Sequence, residues 1–194
     1  MRSKFLLALT LGVLSLAGAS AEAQTSSWKI DPAHSSITFE IRHMAVSNVH
    51  GSIMGVTGTV TLDEKDVTKS SVNATIDTNT LTTNVDARDK HLKSPDFFDV
   101  EKYPQITFKS TSLSNAGGKL QLTGDLTLTG VTKSVTFDVD GPAPPQTGKD
   151  GKVRSGFSAT GKLKRADFNF GPKFSPPMLG DDVKFTIDVE IDKQ

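Results

Sequence analysis

The 194-residue chain has no cysteine, one tryptophan, one tyrosine and no excess of either charge, with 22 Lys+Arg against 22 Asp+Glu. The lack of cysteine excludes disulfides, thiolate nucleophiles, Cys-ligated zinc, iron–sulfur clusters and c-type haem attachment. Zero formal charge removes the attraction that nonspecific nucleic-acid binding or an anionic bilayer surface needs. No nucleic-acid partner is expected. Tyr and Trp are too scarce to form the interfacial girdles of an outer-membrane barrel, so stable membrane insertion is not expected either. The length suits one globular domain, stabilised by its core alone.

What is present begins with a distinct leader. Arg2 and Lys4 precede an apolar run from Phe5 to Ala17, and Ala19-Ser20-Ala21 and Ala21-Glu22-Ala23 are overlapping A-x-A cleavage sites. The run is shorter than the roughly 20 apolar residues that span a bilayer, so residues 1–23 read as a secretory signal peptide and residues 24–194 as the mature domain. The expected location is the periplasm, with release to the medium compatible with the same signal.

Period-two alternation runs through most of the mature chain. Ile37, Phe39, Ile41 and His43 share one phase, as do Met54, Val56, Val60 and Leu62, and then Val72, Ala74 and Ile76. Ile106 and Phe108 follow, then Leu120 to Leu128, Val135 to Val139, Val153 to Leu163, and Val183 to Ile191. Eight strands are predicted, each apolar on one face. Asn115-Ala116-Gly117-Gly118 and Thr129-Gly130-Val131 read as tight turns, and the stretch from Gly141 to Gly151 as a long mobile hairpin loop. Alternation alone fits a barrel or a sandwich. One segment breaks the period: the spacing predicts a helix over Val85 to Lys93, capped by Asn84, supported by an Asp86–Lys90 pair and stopped by Pro95. The adjacent Phe97 and Phe98 are expected to pack into one end of the fold.

Trp28-Lys29-Ile30-Asp31-Pro32-Ala33-His34-Ser35, the block Arg88-Asp89-Lys90-His91-Leu92-Lys93-Ser94-Pro95-Asp96-Phe97-Phe98-Asp99-Val100 with Tyr103-Pro104-Gln105-Ile106-Thr107-Phe108, and Gly124 to Lys133 resemble the YceI family of polyisoprenoid-binding, lipocalin-like envelope proteins. One departure lies in Arg165-Ala166-Asp167-Phe168, which runs into Asn169-Phe170 before Gly171 where the family pattern has Gly directly after the aromatic. The resemblance implies an all-β fold, an eight-stranded antiparallel lipocalin-like barrel with a short helix in one crossover. It implies a polyisoprenoid or similar amphiphile, such as an isoprenoid quinone or fatty amide, held inside for transport, storage or sequestration.

Small residues in the inward phase, Gly58, Ala74, Ser110, Gly124, Ser155, Ala159 and Gly161, leave room, whereas the phenylalanines could fill it; an eight-stranded barrel accommodates either outcome. The candidate apolar pocket comprises Phe39, Ile41, Met54, Phe97, Phe98, Phe108, Phe137, Phe157 and Ala159. His43, Arg88 and His91 are the head-group candidates; the alternative is that Arg88 pairs with Asp96 or Glu101 and the histidines bond to backbone groups. No catalytic residue, metal or cofactor is called for. The four histidines lack helical zinc spacing, and Gly156 to Lys162 has a P-loop outline but Leu163 where magnesium chemistry needs Ser or Thr. The rival reading is an enzyme of the same shape using His43 and His91 as acid and base. Homodimerisation is compatible with the sequence.

Overall fold

The computed structural model describes residues 24–194; the leader expected over residues 1–23 lies outside the described residues. The chain forms β1 (Thr25–Ile30), β2 (Ser36–His43), β3 (Ser47–Ile53), β4 (Val56–Asp63), β5 (Ser71–Asp77), α1 (Asp86–Lys93), β6 (Gln105–Ala116), β7 (Lys119–Leu128), β8 (Val131–Asp140), β9 (Gln146–Thr147), β10 (Val153–Lys164) and β11 (Leu179–Lys193). All pairings are antiparallel. The order β11-β1-β4-β5-β6-β7-β8-β10 closes on itself through β10–β11 pairing, giving an eight-stranded barrel.

The expected eight-stranded barrel is therefore right, but the described residues form eleven strands and the membership of the barrel differs. The barrel includes β1, whose inward residues are Ser26, Trp28 and Ile30, with Trp28 Nε1 donating to Ser26 Oγ at 2.8 Å. The Ile37–His43 strand is instead β2, half of a hairpin with β3. Both hairpin and barrel meet on β11, whose 15 residues serve two neighbours on one edge: Leu179–Asp188 pairs with β2, and Ile191–Lys193 with β1. The split creates a lower storey in which the β2–β3 hairpin continues the wall beyond the end of β1.

The alternation places apolar residues inside. Val56, Val60, Ile76, Ile106, Phe108, Leu122, Leu126, Phe137 and Ile191 are buried, while Thr57, Thr59, Lys109, Asp125 and Lys133 are exposed outside. A lipid-facing barrel has the opposite arrangement. Lys119 pairs with Ala116, so the Gly117-Gly118 turn has two residues, both with positive φ (58° and 81°), as the hairpin twist requires. The Gly141–Gly151 stretch, expected to be a mobile loop, lies along β10: Gln146–Thr147 pairs with Val153–Arg154, and Ala143 exchanges hydrogen bonds with Gly156 O (2.8 Å) and Ser155 Oγ (2.7 Å).

Some of the room left by inward glycines is taken by phenylalanine rings. A Cβ at Gly124 would stand 2.4 Å from the Phe108 ring, and one at Gly161 2.6 Å from Phe185. These pairs let large rings lie flat against the wall, while Ala74 and Ala159 face open space.

Candidate functional site

Two apolar cavities lie inside the molecule, end to end along β2 and β11. The inner, about 150 Å³, is walled wholly by apolar side chains, among them Ile37, Ala74, Phe108, Phe137, Phe157 and Ala159. The outer, about 280 Å³, is lined by Phe39, Ile41, Phe97, Phe170, Phe174 and Leu179, with Phe98 common to both. The interior is thus partly filled and partly open. Larger concavities on the outer surface, about 620 and 770 Å³, have much more polar walls, including Glu40, His50 and Lys184 in one and His34, Asp188 and Glu190 in the other.

Two crossovers build the outer cavity. The first is α1 with its following turn. The helix starts one residue later than expected, and its cap is not Asn84: Val85 is the N-cap residue and makes no side-chain cap bond, while Asn84 has a φ of 59°. Asp89 supplies the missing anchor. Its carboxylate accepts Thr82 Oγ1 (2.8 Å), Thr83 N (2.7 Å) and Thr83 Oγ1, tying the helix to the chain that precedes it. Desolvation works to raise the Asp89 pKa, yet these hydrogen bonds to the charged form outweigh it and hold the group below its ordinary value.

The second crossover, residues 165–179, is organised by one buried side chain. The Arg165 guanidinium donates to five backbone carbonyls: Gly180 (2.8 Å), Phe170 (3.0 Å), Gly171 (2.8 Å), Leu179 (3.1 Å) and Phe174. Burial lowers its pKa, with Asp181 opposing. Asn169 takes a left-handed conformation (φ 51°), which accommodates the departure noted after Phe168. The segment so shaped delivers Phe170 and Phe174 to the first crossover. Phe174 stacks on Phe97 with ring centroids 5.0 Å apart, and Phe170 meets Phe98 edge-on at 4.7 Å.

The three head-group candidates all line the outer cavity, and among the described residues they alone interrupt its apolar wall. His43 and His91 are exposed and Arg88 is half-buried. Arg88 pairs with neither Asp96 nor Glu101; its Nε donates to Thr83 Oγ1 (2.7 Å) and its Nη2 to Thr83 O (3.1 Å). Nη1 has no protein partner among the described residues, which leaves donor capacity at the cavity. Asp96 instead bridges the two crossovers. Lys173 Nζ lies 2.7 Å from one carboxylate oxygen and His91 Nε2 3.3 Å from the other. Lys173 first, then His91, holds the Asp96 pKa below its ordinary value. The His91 ring also stands edge-on to Phe97 at 5.1 Å and Phe174 at 5.6 Å.

Of the predicted pocket residues, Phe39, Ile41 and Phe97 line the outer cavity, Phe108, Phe137, Phe157 and Ala159 the inner, and Phe98 both. Met54 lines neither. It lies in the turn between β3 and β4, 40% exposed, because Gly55 (φ 70°) breaks the strand before Val56 and with it the shared phase. Sequence reasoning missed Phe170, Phe174, Met178 and Leu179; the signal available was a run of aromatics within a Gly- and Pro-rich stretch. Met44, Val46 and Met178 stand exposed around the mouth, where Met44 N donates to Met178 O at 3.0 Å.

The remaining cluster of metal-capable side chains among the described residues, Asp31, His34 and Glu190, lies outside this site. Its charge is met within the protein. His34 Nδ1 is 2.7 Å from Asp31, and Arg154 Nε is 3.3 Å from Glu190.

The model of the YceI-like domain matches residues 28–191, which takes in the barrel, both crossovers and all three polar groups at the mouth. The chain belongs to the YceI-like family. Among its YceI relatives, Protein YceI of Escherichia coli O157:H7 is 42% identical over 189 residues, 96% of each chain. A UPF0312 protein of Photorhabdus laumondii is 40% identical over 190 residues, 97% of each chain. The crystal structure of the Campylobacter jejuni YCEI protein superposes with a TM-score of 0.70 at 34% identity, covering 79% of this chain and 90% of that one. Burkholderia cenocepacia BcnA shares the fold with a TM-score of 0.73 at 24% identity, covering 83% and 98%.

Proposed function

We propose that the protein is an exported, noncatalytic carrier that takes the apolar chain of a polyisoprenoid or similar amphiphile into its barrel and holds the head group at the mouth. The observation that carries this reading is the pair of aligned apolar cavities whose only polar lining groups among the described residues, His43, Arg88 and His91, gather at the mouth. Affinity comes from apolar area removed from water, about 25 cal/mol per Å². The polar groups add orientation, and their character favours an acceptor head group such as a phosphate, quinone or amide carbonyl. A structure sharing this fold at 13% identity, with a TM-score of 0.65, is described as a polyisoprenoid binding domain, which supports the same ligand class here. The leader at residues 1–23 supports a periplasmic location.

The carrier reading is preferred to histidine acid–base catalysis on one ground. Beyond His43, Arg88 and His91 the cavity walls formed by the described residues are apolar, a surface suited to receiving a chain rather than to reacting with it. Native mass spectrometry of the mature protein purified from its exporting host, followed by solvent extraction, tests the proposal. A stoichiometric long-chain adduct is expected. The mass of the bare polypeptide, unchanged after incubation with isoprenoid alcohols, would overturn it.

A further inference from the structure

The two cavities differ in position along the path a chain must take. On β2, Ile37 faces the inner one and Ile41 the outer; on β11, Ile187 faces the inner and Val183 the outer. Every polar group is at the outer end, so a chain with its head at His43, Arg88 and His91 passes through the outer cavity first. Phe98 stands between. It is 9% exposed, its ring meets the Phe170 ring edge-on at 4.7 Å, and its backbone N donates to Leu92 O at 2.9 Å. Its ring thus packs on the second crossover and its backbone is held by the first, while it also belongs to the core cluster of the barrel.

The volumes set a scale. An apolar protein cavity of about 150 Å³ accepts benzene, so the inner cavity takes roughly six carbons and the outer about a dozen. We propose that Phe98 is the residue that sets chain length: the resting protein is fitted to an unbranched or prenyl chain of about a dozen carbons in the outer cavity, and further carbons reach the inner cavity only when the Phe98 ring swings aside. This inference rests on the carrier reading and deepens it. A much longer isoprenoid is held by the end nearest its head group, with the rest outside, unless the ring moves.

The test is displacement of an environment-sensitive naphthylamine dye from the mature protein by primary n-alkanols from octanol to octadecanol. For the wild type, each methylene up to about dodecanol is expected to tighten binding about fourfold, after which the gain stops. In Phe98→Ala the gain continues, and hexadecanol binds at least about tenfold tighter than to the wild type. Phe98→Leu, which keeps apolar bulk, is expected to give the same direction with a smaller gain and decides the matter if the alanine variant loses its barrel circular dichroism. Wild-type affinity that climbs unbroken to octadecanol, or a folded variant whose profile overlies the wild type, would overturn the assignment of Phe98. Failure of every alkanol and of the dye to bind would instead overturn the carrier reading.

Discussion

The barrel and its mouth are built by different rules. The barrel wall is a closed ladder in which every buried position is dictated by the pleat, and its cavity surface is uniformly apolar. The mouth is two irregular crossovers joined through side chains: an arginine gathering carbonyls, a carboxylate bridging a lysine and a histidine, and four interlocked phenylalanines. The difference teaches that container and selector can vary separately. A barrel closed by β10–β11 pairing resists local opening, whereas contacts among side chains of two loops open more readily.

The sharpest way to break this division is to damage each part and compare. Trp28 is buried in β1 and lines neither cavity. Trp28→Ala is expected to cost about 3–5 kcal/mol of global stability, read from the urea midpoint, while the folded protein keeps its alkanol preference. A change in preference would mean that barrel and mouth are coupled.

Arg165→Met removes the guanidinium from five carbonyls. The expected cost is about 2–4 kcal/mol, concentrated at the mouth because buried acceptors lose their donors there. Hydrogen exchange checks the location: amides of residues 166–179 should lose protection while those of β4 to β7 keep it. Uniform loss along the chain would place Arg165 in the global core instead.

Arg88→Ala leaves the apolar walls intact and should act on the head group. Binding of an alkyl phosphate is expected to weaken about tenfold and binding of the alkanol of equal length to change little, as measured by the same dye displacement. Equal losses for both would make Arg88 a structural support for Thr83 only.

The smallest effect concerns Asp96. Its pKa lies below the ordinary 3.8, so the stabilisation from its charged form is fully present above that value and is lost as pH falls through the lowered folded-state value. Lys173→Ala removes the largest cause of the shift. The variant should be slightly less stable than the wild type at neutral pH, and the difference should shrink as the solution is acidified. A difference that persists at low pH would assign the lysine a packing role.

The same division governs how much the sequence foretold. Barrel positions such as Val56, Ile76, Phe108 and Phe137 were legible because period two follows from the pleat alone. Strand β3, Ser-Asn-Val-His-Gly-Ser-Ile, was not, since its place depends on pairing with β2 rather than on a buried apolar face. Strand β1 hid because Ser26 occupies an inward position. Met54 shared a phase with Val56 until a glycine turn separated them. At the mouth, the sequence singled out His43, Arg88 and His91, which line the outer cavity, but not Phe170 and Phe174. Their positions follow from Arg165, and its partners are backbone carbonyls, which leave no mark in a sequence.

The central claim is that the internal cavities receive an amphiphile's chain with its head at His43, Arg88 and His91. Anomalous diffraction from crystals grown with an ω-bromododecanol locates the chain end directly. The account predicts a bromine peak inside the outer cavity against the Phe98 ring; bromine found only on the outer face of the barrel would contradict it.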